Sequence, residues 1–399
     1  MAKNGKIRWL AVLLALTLLS FWGLGVRPIS PAAAAPGGET LEQSLPRVIV
    51  IADPHAPDRP VYQPPPEEAR AMLSAALEGV LTPAAEIQIN FLPSPQAWPS
   101  AARTAFEFAR DVWATQINSP VPIQVDAYWE DLSILYGDNV LGAAGPTALL
   151  RDFPGAIQIQ TLYPSALANR LAGTDLKTNQ ADIEATFNST FPSWYFGLDG
   201  NPGPNYDFVS VVMHEFAHGL GMFDSFEVIS GLGVWGNNGY PFIYDRFLIN
   251  GSGQALLDTT LFANPSPALA AQLTSNNVFF TGLAANAANA GAPVKLYAPY
   301  PYSLGSSIAH LDEIYNGTSN ALMTYSLAPF EAVHDPGELT LGVFADLGWG
   351  QVAAAATATP APTEVTPTPV VAPTRTPTAT SFPPFTPEAW MYLPSVIKR

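Results

Sequence analysis

The chain has 399 residues, with 17 Lys plus Arg against 33 Asp plus Glu, a formal charge of −16, 40 prolines and no cysteine. The missing cysteine excludes a disulfide-stapled fold, thiol catalysis, Cys-ligated zinc and iron–sulfur chemistry. The acidic balance argues against nucleic acid or an anionic lipid surface as the main partner. Apolar residues make up 48% of the chain, enough for a large core, and the only histidines are His55, His214, His218, His310 and His334.

Residues 1–35 read as a secretory signal peptide. Lys3, Lys6 and Arg8 precede an apolar run from Trp9 to Val26, and Ala32-Ala33-Ala34 supplies small residues at a cleavage site. The same run could also serve as an uncleaved anchor. Cleavage leaves 13 basic against 33 acidic residues, a charge of −20. Residues 36–85 read as an N-terminal extension or propeptide, with a short strand at Val48–Ala52, prolines at 64, 65 and 66, and a helix over Glu67–Val80. A propeptide here could not use a thiol to hold an enzyme latent.

Residues 86–350 read as one domain. Ile87–Phe91 alternates as a strand. Ser100–Gln116 predicts a helix capped by Ser100, with Ala102, Phe106, Ala109 and Trp113 on one face. Ile123–Ala127 alternates again, and Ile157–Ile159 and Asp182–Phe187 are further strand candidates. This order is α/β (α+β) with a mixed sheet. Residues 351–387 form a Pro/Thr-rich linker: 352–387 hold 9 Pro and 10 Thr, a composition that builds no core and favours extended backbone. Residues 388–399 end the chain in an apolar tail, read either as an export or surface-attachment signal or as a plain tail.

Within the domain, His214-Glu215-Phe216-Ala217-His218 lies in a helix predicted over Tyr206–Leu220. Pro204 and Asn205 start it, Asp207 stands in its first turn, and Phe208, Val211 and Val212 give it an apolar face. A spacing of four puts both imidazoles on one helix face, where they can share a metal ion. Glu215 stands beside them, placed to act as general base on a water at that metal. Gly221 permits a sharp exit from the helix.

The run from His214 to Gly221, HExxHxxG, resembles the metzincin clan of zinc metallopeptidases. Leu322-Met323-Thr324-Tyr325 is similar to that clan's Met-turn, with Tyr two residues after Met as in astacins and serralysins. The pattern as a whole is similar to exported bacterial proteins of this type. The resemblance implies a mixed sheet with an active-site helix, then a C-terminal subdomain holding the Met-turn and a last helix over 338–347. It implies one catalytic Zn2+, Glu215 as the catalytic base, Tyr325 as a stabiliser of the oxyanion, and Met323 as an apolar floor under the histidines. The chain departs from the clan at the third ligand, where the usual His is Asp224. Either Asp224 is the ligand, as in snapalysins, or His310 is, beyond an insertion over 225–300 that includes Tyr244–Leu248, as in leishmanolysin. His310 is favoured, because it lies 13 residues before Met323 and imidazole is the commoner zinc donor.

The activity so implied is that of a secreted or surface-displayed zinc endopeptidase acting on proteins or peptides. Asp182–Phe187 is then expected at the sheet edge that pairs with extended substrate, and Leu327–Phe330 as a wall of the substrate pocket. The alternative is a surface adhesion or binding protein built on a metallopeptidase-like domain. Membrane contact is expected only through the signal segment or a C-terminal attachment; the acidic surface leaves calcium open, although no calcium-loop pattern occurs. His55 reads as a surface-turn residue, His334 as a residue helping to start the last helix, and Ser193–Phe196 as an aromatic edge or core segment.

Overall fold

The computed structural model describes residues 39–41, 48–67, 69–71, 74, 83–93 and 96–350. The expected signal segment, Pro/Thr linker and apolar tail lie outside these residues. Of the helix expected over 67–80, residues 67, 69–71 and 74 are described and are helical.

A six-stranded mixed sheet organises the molecule. Its strands are β1 (Val48–Ala52), β2 (Ile87–Phe91), β3 (Ile123–Glu130), β4 (Val140–Pro146), β5 (Ile183–Asn188) and β6 (Ser326–Leu327), in the spatial order β6-β1-β4-β5-β3-β2. β2, β3 and β5 run parallel, β4 is antiparallel to β5, β1 is antiparallel to β4, and β6 is parallel to β1. Buried and half-buried residues alternate along the whole of β3, so the expected strand continues three residues past Ala127. Between β2 and β3 the chain crosses over through helix α1 (Ser100–Gln116), as parallel pairing requires. Ala102, Phe106, Ala109 and Trp113 are all fully buried on its inner face. Pro99 rather than Ser100 occupies the cap position, with no side-chain hydrogen bond, so the expected serine cap is off by one residue.

Two expectations about strands are corrected. Ile157–Ile159 forms bends, and its isoleucines are 55% and 75% exposed; three alternating residues are too few to demand a ladder. The strand near Asp182–Phe187 is not at the sheet edge, since β5 is bonded to β3 on one side and to β4 on the other. The position beyond β4 is filled by β1. The sheet therefore begins upstream of residue 86, and the extension drawn over 36–85 contributes a strand to its interior. Glu39–Leu41 pairs with Leu149–Arg151, and Val61–Gln63 pairs with Glu331–Val333, so this segment is tied to the domain at three places.

Helix α2 (Phe208–Leu220) packs against α1 and the sheet, and all 13 of its residues are buried. A helix apolar on nearly every side belongs inside a core. Trp113 donates its indole N–H to Met213 O at 2.9 Å, and Trp349 donates to Leu220 O at 2.9 Å, so each half of α2 is pinned by a buried tryptophan. Gly219 allows close approach to the sheet, for a Cβ there would lie 2.4 Å from Ile183. Residues 225–300 form small elements of their own. These include a hairpin (Glu227–Ile229 with Leu232–Val234), a three-stranded antiparallel sheet of Leu248–Asn250, Val278–Phe280 and Val294–Leu296, and short helices at Pro267–Leu273 and Leu283–Ala288. A 3-10 turn at Ala321–Met323 and helix α3 (Gly337–Leu347) complete the described chain. Among the described residues, no helix is long and apolar enough to cross a membrane.

Candidate metal centre

The centre is built on α2. Asp207 is the N-cap rather than a first-turn residue, and its Oδ2 accepts from Ser210 N at 2.8 Å and Ser210 Oγ at 2.7 Å. The helix so started presents His214 and His218 on one face. It ends at Gly221, whose φ of 130° turns the chain back so that Met222 O reaches His218. A side chain is disfavoured at that φ.

Three imidazoles converge. His214 Nε2 lies 2.9 Å from His218 Nε2 and 3.1 Å from His310 Nε2, and His218 Nε2 lies 3.2 Å from His310 Nε2. Each Nδ1 faces a backbone carbonyl: His214 that of Leu322 at 2.7 Å, His218 that of Met222 at 2.6 Å, His310 that of Ser306 at 2.7 Å. A carbonyl can only accept, so each Nδ1 must carry the proton, and each Nε2 is left with a bare lone pair. Three lone pairs facing one another cannot hydrogen-bond. They fit a cation, and their separations are close to the roughly 3.3 Å expected between nitrogens held tetrahedrally at ~2.0–2.1 Å from zinc. Burial pushes His214 down to about 4, and pushes His218 and His310 well below the usual imidazole range, which keeps the rings neutral as ligands must be. Among the described residues this is the one cluster of three or more His, Asp or Glu side chains able to hold a metal.

Glu215 projects from the same helix onto the sheet. A Cβ at Gly142 in β4 would stand 2.9 Å from Glu215 Cγ and 3.0 Å from Oε1, so β4 must carry glycine where the side chain crosses it. Both carboxylate oxygens are buried without a hydrogen-bond partner. The backbone amides of Val50 and Ala144 moderate the site's cost to a negative charge without reaching hydrogen-bond geometry, and burial dominates, holding the carboxyl well above its ordinary range. The centre is closed: His214 is 2% exposed, and Glu215, His218 and His310 are 0% exposed. The cavity beside His214 measures about 10 Å³ and is lined by Val50, Leu322, Ser326, Leu327 and Glu331 among others.

Of the residues singled out in the sequence, His214, His218 and His310 come together, with Glu215 beside them. Asp224 does not join them. Its Oδ1 accepts from Phe226 N at 2.8 Å, and its carboxyl, raised by burial and by nearby Asp245, lines a separate cavity of about 570 Å³. Met323 is fully buried in the 3-10 turn, and its neighbour in that turn, Leu322, supplies the carbonyl for His214. The Tyr325 ring stacks on Tyr297 with centroids 4.2 Å apart. Leu327, expected to wall a pocket, pairs with Ala52 of β1. His55 is exposed and bonds Asp53 in its own turn. His334 does not start the last helix: it is fully buried, with Nε2 2.8 Å from Asp207 Oδ2. Ser193–Phe196 supplies Trp194 and Phe196 to an aromatic cluster around Phe208.

Sequence reasoning missed the three carbonyls that fix the tautomers, and the Gly142–Val50 pair over Glu215. Backbone carbonyls leave no side-chain signature, and a glycine in an apolar strand carries its meaning only once its neighbour is known. No protein-family model matches the chain, and neither a curated protein nor a solved structure matches it.

Proposed function

We propose that this chain is a zinc-dependent endopeptidase of metzincin-like architecture, exported from the cell. The observation that supports it most is the set of three Nε2 lone pairs, each fixed by a carbonyl on the opposite nitrogen, with a buried glutamate on the adjoining helix position. His214, His218 and His310 would hold the ion, which supplies Lewis-acid activation of water and of a peptide carbonyl. Glu215 accepts the proton of the attacking water and passes it to the leaving amine. The Leu322–Met323 turn orients His214 and closes the floor beneath it. Tyr325, two residues after Met323, would stabilise the oxyanion, the role the resemblance to the clan's Met-turn implies.

A second reading, a surface binding protein that keeps a metal site without using it, draws on one observation: the centre is fully buried. One experiment separates the two. Zinc stoichiometry is measured on the purified chain, and hydrolysis of unfolded casein is followed before and after limited proteolysis, with and without chelator. Hydrolysis that needs zinc and vanishes in Glu215→Ala supports the enzyme. One zinc per chain with no hydrolysis in any form supports the binding protein.

A further inference from the structure

The cavity of about 570 Å³ that Asp224 lines has the size of a ligand site. Its walls continue the segments that fix two of the imidazoles: Asp224 lies two residues after Met222, and Gly305 and Ser307 flank Ser306. Three carboxyls act on one another here. Asp224 and Glu227 line the cavity, and Asp245 is bonded to Ser225 of its wall. Asp245 is fully engaged: Ser225 N at 3.0 Å, Phe242 N at 2.7 Å and Ser225 Oγ all donate to it. Asp224 is only 9% exposed, yet the one hydrogen bond from another residue that reaches it runs from Phe226 N to Oδ1. The charges acting on it are Asp245 and Glu227, both carboxyls, and no Lys, Arg or His lines the cavity. Asn237, also in the lining, has its Oδ1 buried without a partner. A buried carboxyl with no positive neighbour is costly to ionise. The cavity is thus walled by acceptors for which the protein supplies no cation.

We propose that this cavity binds a basic side chain, arginine or lysine, and so selects the peptides brought to the metal centre. The selection of peptides for cutting rests on the peptidase reading; the cation site itself does not. A metal ion is the wrong occupant. Among the described residues only the three imidazoles bring three ligand atoms close enough to share one. A guanidinium or ammonium group carries several donors, so it can meet acceptors that do not converge on one point: the Asp224 and Glu227 carboxyls and Asn237 Oδ1. The aliphatic stem of such a side chain also finds its complement. Phe226, Val234 and Phe242 line the cavity, and Ile229 and Leu304, 53% and 72% exposed, carry that apolar lining out to solvent. Once the cation is seated, Asp224 can ionise and accept a charge-assisted hydrogen bond. A neutral side chain of the same shape offers no such exchange.

The test uses the full chain and two probes, Nα-acetyl-arginine amide and its neutral isostere Nα-acetyl-citrulline amide, with affinities read by calorimetry. The arginine probe should bind at least about tenfold tighter, the discrimination expected of one charge-assisted hydrogen bond. Asp224→Asn, which keeps the acceptor for Phe226 N, should bring the two probes to equal affinity. Glu227→Gln should narrow the gap by a smaller factor, and Asp182→Asn, a buried carboxyl elsewhere, should leave it unchanged. Equal affinity of the two probes for the unaltered chain would overturn the proposal, and this comparison needs no variant to fold. So would a preference for arginine that survives both Asp224→Asn and Glu227→Gln, which would place the probe elsewhere. A second readout separates the site from the peptidase reading. A mixed peptide pool is incubated with the zinc-loaded chain before and after limited proteolysis, and the cut bonds are mapped by mass spectrometry. Arginine or lysine should be enriched at one fixed position relative to those bonds, and Asp224→Asn should abolish the enrichment. Selective arginine binding with no peptide cut in either form would uphold the site and sink the peptidase reading. Cleavage with no basic residue enriched at any position would overturn the selection of peptides and leave the peptidase reading standing.

Discussion

Helix α2 meets buried histidine near each end, in two contrasting arrangements. At its N-terminus His334 meets the cap carboxylate of Asp207 at 2.8 Å, so a donor faces an acceptor within the protein. In its second half His214 and His218 meet His310 lone pair to lone pair, and nothing in the protein satisfies them. The first arrangement pairs one His334 nitrogen with the carboxylate that starts the helix, and leaves His334 Nδ1 and Asp207 Oδ1 buried without a partner. The second makes chemical sense only around a cation. Burial alone therefore does not mark a functional histidine, and neither does one unpartnered ring nitrogen; what decides is whether several rings turn their bare nitrogens on one point.

The contrast can be broken most sharply at the base. Glu215→Ala should lower casein hydrolysis by about 1,000-fold, within the range for loss of a general base, while zinc stays at one per chain; unchanged turnover would remove Glu215 from the mechanism. Next comes the third ligand. His310→Ala should weaken zinc binding by more than about 100-fold, and Asp224→Ala should leave it intact, as read by competition with a chromogenic chelator. The N-terminal arrangement should behave in the opposite way. Asp207→Ala removes the cap and strands His334, at a cost of about 2–4 kcal/mol in denaturant unfolding, yet the purified protein should still bind zinc.

The smallest effect concerns a buried carboxyl away from both groups. Burial pushes Asp182 up to about 6, although Gln124 N and Asn169 Nδ2 donate to it. The folded state therefore holds that proton more tightly than the unfolded one. The associated stability is full below about pH 4 and is lost as pH rises through about 6, a drop on the order of 2–3 kcal/mol. Asp182→Asn should flatten unfolding free energy over that window.

Local chemistry was the legible part. β2, α1 and α2 follow from periodicity and from the turn residues around them, and the spacing of His214 and His218 needs only a helix to become a half-site. His310 could be favoured from its place before Met323, but its approach depends on the path of 225–300, which no local pattern fixes. β1 shows the limit clearly. VIVIA reads as a strand from its β-branched residues, yet where a strand pairs depends on which edges the rest of the fold leaves open. The demand for glycine at 142 is likewise invisible until Glu215 is laid across it.

The three imidazoles also have a mechanical consequence. His310 is 92 residues from His218 and 96 from His214 along the chain. An ion held by all three ties the central helix to the far side of the inserted segment, closing a loop of that length in a chain without cysteine. Loop-closure entropy assigns a cross-link of this span about 4–5 kcal/mol. An ion bound there would thus act as a staple in a chain without disulfides, and stripping it should loosen the 225–300 elements.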